Sequence, residues 1–286
     1  MRLNRFDPSN IRVRGGGGGG FPGGAGGGLG CGTLIIAAIA YFVFGVDPSS
    51  MLSSSGGYDP NAQTQQAGNQ QTAEQLCTSN AYATEACNAL QSLNQTWQPV
   101  FEQANVPFHQ PELVFYSGRT GSGCGGASAA MGPFYCPQDE GIYIDTSFYD
   151  ELQQRFGARG DFARYYVIAH EYGHHIQKLT GVADQIRSAQ SQNPQAANRL
   201  QVAMELQADC YAGVWAGKNR NLVEPGDMEE GLTAASAIGD DTLQRESGQS
   251  VDQESFTHGS SAQRMQALRT GMESADDNAC NRYVQA

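Results

Sequence analysis

The chain has 286 residues, with 17 lysines and arginines against 29 aspartates and glutamates, a formal net charge of −12. That balance argues against nucleic acid as a partner, because phosphate binding draws on a surplus of cations. The stretch from Glu74 to the carboxyl end is long enough for one domain with its own core.

The first 28 residues carry Arg2, Arg5, Arg12 and Arg14 against a single acid, Asp7, and then a glycine tract broken only by Phe21-Pro22 and Ala25. They read as a basic, flexible tail. Leu29 to Val46 contains no charge and is close to the roughly 20 residues that cross a bilayer as a helix. Arginines before this run and Asp47 after it predict a single-pass signal anchor in the cytoplasmic membrane. Residues 1–28 would then be cytoplasmic and the body would lie on the periplasmic or extracellular side. A cleaved signal peptide is the competing reading. Against it stand the long leader and the lack of a small-x-small site in Phe44-Gly-Val-Asp-Pro48. Residues 47–73 are rich in Ser, Gly, Gln, Asn and Ala and read as a flexible tether, so the folded unit is predicted over 74–286.

Within that unit, Thr78 to Ala104 reads as a helix with Leu90, Leu93, Trp97, Val100 and Phe101 on its core side, and Leu113–Tyr116 as a strand. Gly118 to Gly126 lacks both the lysine of a phosphate loop and the dinucleotide fingerprint, which predicts a mobile loop near a cleft. Gly132–Cys136 and Gly141–Asp145, flanking Pro137-Gln-Asp-Glu140, read as a β-hairpin.

The most informative segment follows. Asp161 to Leu179 has no proline and one glycine, Gly173, and it contains His170-Glu171-Tyr-Gly-His174. Two histidines four residues apart on a helix project from one face one turn apart and can share a metal. The intervening Glu171 then faces the open coordination position, where it can take a proton from water and later deliver it to a leaving amine. Thr180-Gly181 supplies a stop. A third protein ligand is needed for a catalytic zinc. Gln177 and Thr180 stand where the glycine and third histidine of the HExxHxxGxxH pattern would be, which excludes that solution. Asn198 to Trp215 offers another, with Glu205 and Asp209 on one helical face. Glu205 would bind Zn2+, and Asp209 would accept the other ring N–H of a histidine ligand. As the alternative, both are surface carboxylates pairing with Arg199 or Lys218.

Phe134-Tyr-Cys-Pro, Ile142-Tyr-Ile-Asp145, His170-Glu-Tyr-Gly-His-His-Ile-Gln177 and Glu205-Leu-Gln-Ala-Asp-Cys-Tyr-Ala-Gly-Val-Trp215 occur in this order behind a glycine-rich amino terminus. Together they resemble the bacterial putative neutral zinc metallopeptidases, over nearly the whole chain. The resemblance implies a gluzincin-like α+β domain, mostly helical with a small β-sheet. It also implies His170 and His174 as zinc ligands, Glu205 as the third, and Glu171 as catalytic base. In zincins a strand just before the metal helix lines the cleft, which would place the hairpin there as an edge for an extended peptide substrate. Thr257-His258-Gly-Ser-Ser-Ala-Gln-Arg264 is similar to the HPxxxxR element of membrane zinc peptidases, with Gly259 in place of proline. His258 would then stabilise an oxyanion and Arg264 would pair with Asp209. The bland reading makes Ser260 or Ser261 a helix cap and His258 a loop residue. His175 points about 100° from its neighbour His174 and is expected in packing or hydrogen bonding; His109 is expected in a surface loop.

Apart from Cys31, the cysteines are even in number, and proximity suggests Cys77 with Cys87, Cys124 with Cys136, and Cys210 with Cys280. No CxxC pair supports a four-cysteine zinc site. Asp227 to Glu230 and Asp240-Asp241 read as a solvated acidic face. The function implied is a membrane-anchored zinc peptidase. A non-catalytic zinc-binding envelope protein and a zinc amidase acting on cell-wall peptides are the alternatives.

Overall fold

The computed structural model describes residues 1–16 and 71–285; the apolar run 29–46 and most of the tether lie outside them. Among the described residues no helix is long and apolar enough to cross a membrane. The architecture is α+β, a small mixed sheet beside a mostly helical body. The strands are β1 (Arg12–Gly15), β2 (Glu112–Phe115), β3 (Arg119–Ser122), β4 (Gly125–Ser128), β5 (Phe134–Cys136) and β6 (Gly141–Ile144). Four form one sheet in the order β1-β2-β6-β5, with β1, β2 and β6 parallel and β5 antiparallel to β6. All four residues of β6 are buried, as expected for an inner strand covered on both faces. The hairpin read from the sequence is therefore present, and β5 is the edge strand. Gly118–Gly126, expected as a mobile loop, is instead part of a second two-stranded sheet. There β3 and β4 pair, and the Cys124–Cys136 disulfide fastens their turn to β5.

The helices are α1 (Ala73–Cys77), α2 (Ala81–Gln103), α3 (Phe148–Gln154), α4 (Asp161–Leu179), α5 (Val182–Gln192), α6 (Ala197–Lys218), α7 (Asp227–Ala237), α8 (Asp240–Glu246) and α9 (Ser261–Ser274). α4 is the axis of the body. Tyr172 on it donates a hydrogen bond to Asn94 of α2 at 2.9 Å, and Phe162 stacks on Trp215 of α6. α6 and α9 meet backbone to backbone, because Gly213 and Gly271 have no side chains to hold them apart. A Cβ on Gly213 would lie 2.1 Å from the Leu268 carbonyl oxygen. All three disulfides follow the pairing suggested by proximity. Cys210–Cys280 closes the longest loop, a separation of 70 residues, for which chain entropy predicts about 4 kcal/mol of stabilisation.

The amino terminus departs from expectation. A basic tail set apart from the body is predicted, yet residues 1–16 are packed on it. Met1, Phe6 and Ile11 are buried in the main core. The Met1 ammonium sits among acids, 2.9 Å from Asp227 Oδ1 and 3.2 Å from both carboxylate oxygens of Asp161. The Phe6 and Asp7 amides donate to Asn88 and Gln91 of α2. β1 then adds a strand to the sheet, and Gly15 packs against Leu76 of α1. Asp227 is accordingly buried, contrary to the solvated face expected of it.

Candidate metal centre

α4 starts at Gly160, where φ is 100°, and its first turn is capped from another helix: the Phe162 amide donates to Glu230 Oε2 at 3.0 Å. It ends at Thr180, with Gly181 left-handed at φ 78°, the conformation glycine adopts without a Cβ penalty. α4 and α6 approach closely at Gly173, where an added Cβ would lie 2.8 Å from Ala208 Cα. This contact sets the distance between the histidines on α4 and the carboxylates on α6. Gly173→Ala is expected to cost about 1–3 kcal/mol through overpacking and to weaken metal binding. Thermal melts and zinc titration check this, and a variant unchanged in both would show that the helix spacing is not set here.

The two helices bring together His170, His174 and Glu205, whose ligand atoms all lie within 4.8 Å of one another. His170 Nε2 is 3.1 Å and His174 Nε2 3.5 Å from Glu205 Oε2. Ligands about 2.0–2.2 Å from a tetrahedral zinc are separated by roughly 3.4 Å, so the cluster has the size of a zinc site. The second nitrogen or oxygen of each group is held from behind. Asp209 Oδ1 lies 2.7 Å from His170 Nδ1, Gln177 Oε1 2.9 Å from His174 Nδ1, and Gln201 Nε2 donates to Glu205 Oε1 at 2.8 Å. Gln177 is itself fixed by donating to the Met204 carbonyl and to Gln207 on α6.

Behind His170 lies a buried polar knot. Arg264 of α9 donates through Nε and Nη2 to the two oxygens of Asp209, both at 2.9 Å, and Tyr166 donates to the same carboxylate at 2.5 Å. In this segment Ser260 caps α9, and Arg264 pairs with Asp209. Burial alone would raise the Asp209 carboxyl, but Arg264 and His170 outweigh it and hold it at about 2. Burial likewise opposes the Glu205 carboxylate, and the two histidines keep it well below the usual range. Glu171 is also buried, and no side chain among the described residues hydrogen-bonds its carboxylate. Three buried carboxylates, Glu171, Glu205 and Asp209, against one guanidinium leave two negative charges when the histidines are neutral. A divalent cation balances that set.

His258 is buried and electrostatically coupled to Glu205. It is held by Asp240, whose Oδ2 accepts the backbone amides of Thr257, His258 and Gly259 at 2.8, 2.6 and 2.9 Å. The other oxygen of Asp240 lies 3.2 Å from His258 Nδ1. Asp240 is thus a buried anchor, not part of a solvated face. His175 is, as expected, a packing residue, bonded to the Tyr135 hydroxyl on β5 and to the His109 carbonyl. His109 itself is exposed. Tyr166, Gln177, Gln201 and Asp240 escape the sequence reading. The first three carry a usable signal, since each stands three or four residues from a metal-site residue on the same helix.

A family model described as putative neutral zinc metallopeptidase matches residues 3–283. An uncharacterized protein of Escherichia coli (strain K12), YpfJ, is 50% identical over 197 residues, covering 68% of this chain and 69% of its own. An uncharacterized Mycobacterium tuberculosis (strain ATCC 25618 / H37Rv) protein, Rv2575, is 39% identical over 208 residues, or 68% of each chain. No solved structure matches.

Proposed function

We propose that this chain, which belongs to the putative neutral zinc metallopeptidase family, hydrolyses peptide bonds in a zincin-like cleft with Zn2+ held by His170, His174 and Glu205. The observation that carries this reading is that, among the described residues, three protein donors converge at zinc-site spacing, with Glu171 one residue along the helix from the first of them. Structural zinc sites are closed by four protein ligands, whereas catalytic ones keep a position open. Bound there, Zn2+ supplies Lewis acidity to a water and to a substrate carbonyl.

Glu171 takes the proton from the attacking water and delivers it to the departing amine. An extended peptide lies along β5, whose Tyr135 contacts the helix turn that carries His174. His258 donates its free ring nitrogen to the oxyanion, with Asp240 fixing the ring. Removing one such donor costs about 10²–10³ in kcat, so His258→Ala is expected to lose kcat with little change in KM. A variant with unchanged kcat would remove His258 from the reaction. Residues 29–46 attach the protein to a membrane.

The test is digestion of a diverse peptide library by the full chain in detergent, with zinc and after chelation. Zinc-dependent cleavage is the expected outcome. Cleavage confined to cell-wall peptides would make the protein an amidase. No cleavage, with one zinc retained in a cooperative fold, would leave a binding protein.

A further inference from the structure

A short line of buried amides joins the end of α5 to the metal centre. Gln190, in the last turn of α5, donates through Nε2 to the Ala197 carbonyl at 3.1 Å and to Gln201 Oε1 at 3.3 Å. Gln201, one turn before Glu205 on α6, donates through its own Nε2 to Glu205 Oε1 at 2.8 Å. All three side chains are buried, so each depends on these partners rather than on bulk water. Both ends of the line accept only, since neither a backbone carbonyl nor an ionised carboxylate has a proton to give. The NH2 of Gln190 must therefore face Ala197, and the NH2 of Gln201 must face Glu205. Gln201 Oε1 is then turned to Gln190, and flipping either amide would lose a hydrogen bond. The oxygen of Glu205 left over is the one the histidines face, Oε2, 3.1 Å from His170 Nε2 and 3.5 Å from His174 Nε2.

We propose that Gln201 is a positioning residue for the metal centre: by engaging Oε1 it makes Glu205 offer the ion a single oxygen, and Gln190 holds Gln201 in the orientation that does so. This rests on the reading of His170, His174 and Glu205 as zinc ligands. A carboxylate free to turn can offer an ion both oxygens. A second oxygen from Glu205 would take up the coordination position that a catalytic site keeps open for water and substrate. A contact four residues apart that served only to support α6 would need no partner beyond that helix. Gln190 comes from α5, so the line crosses between helices, and it is anchored on a backbone carbonyl whose position the fold sets.

The experiment compares the full chain in detergent with Gln201→Met and Gln190→Met, which keep the length of the side chain and remove its N–H donors. Zinc affinity is measured by competition with a chelator, and the visible bands of the cobalt(II)-substituted protein report the coordination number. Gln201→Met is expected to weaken zinc binding by about 10–100-fold and to dim the cobalt bands as a second carboxylate oxygen joins the ion. Gln190→Met, which touches no metal ligand, is expected to move both readouts in the same direction by a smaller factor. A role confined to packing would lower the melting temperature of metal-free and metal-loaded protein alike and leave the cobalt bands as in the parent. That result, or an unchanged zinc affinity in Gln201→Met, overturns the proposal. If Gln201→Met does not fold, unchanged affinity and bands in Gln190→Met overturn it instead. Neither readout depends on peptide cleavage, which separates failure of this inference from failure of the peptidase reading.

Discussion

Glu171→Gln is expected to abolish peptide hydrolysis while leaving zinc content and thermal stability in place. The substitution preserves shape and removes only the ability to accept a proton. Glu171 is buried beside the cluster but has no hydrogen-bonding side-chain partner among the described residues, so no structural contact depends on its charge. Its position between His170 and His174 on α4 is fixed by the helix and not by its protonation. General-base catalysis contributes typically 10²–10⁴-fold, or about 3–5 kcal/mol of barrier, and kcat/KM should fall by that factor. Zinc stoichiometry and a melting curve should match the parent. Retention of more than a tenth of the parent activity would remove Glu171 from the role of base. Loss of zinc along with activity would make it a ligand instead.

Removal of Arg264 should produce the largest loss of stability among the residues behind the metal. Its guanidinium is 2% exposed and spans both oxygens of Asp209, which is itself fully buried. Taking it away leaves a carboxylate in the interior with no cation to balance it, an effect of about 3–5 kcal/mol. For a domain of this size that corresponds to a fall in Tm of roughly 6–20 °C. The metal should suffer as well, since Asp209 orients His170 and disturbance behind a ligand typically costs 10–100-fold in affinity. Arg264→Lys should rescue little, because a point charge cannot reproduce the two-pronged contact. An Arg264→Ala protein with Tm within 2 °C of the parent would refute this account of the knot.

The parts of the molecule legible in the sequence are those governed by short-range periodicity. The four-residue step places His170 and His174 on one face of α4, and the same step on α6 places Glu205 and Asp209 together. The lack of proline and of any glycine but Gly173 from Asp161 to Leu179, with Thr180-Gly181 as the stop, marks α4 to its ends. The hairpin β5–β6 is set by turn residues between two short apolar runs. What stays hidden depends on partners far away along the chain. Asp227 looks like a surface acid until Met1 arrives from 226 residues upstream. Asp240 does so until the amides of Thr257 to Gly259 turn back onto it. The glycines of β3 and β4 have poor strand propensity, and their order comes from the backbone ladder and a disulfide. Arg2 and Arg14 look like part of a membrane-orienting tail because their acidic partners, Glu224 and Glu112, stand far downstream.

The added strand β1 has a practical side for anyone preparing this protein. With residues 1–16 in place, the sheet ends at β1 on one flank and at β5 on the other. Trimming the chain to begin at the tether, as its composition invites, would bare the backbone of β2 along with the apolar sockets of Phe6 and Ile11. An open strand of that kind recruits other chains. Poor solubility or spurious oligomers in such a shortened preparation would then reflect the missing sixteen residues, and inactivity measured on it would say nothing about the zinc centre.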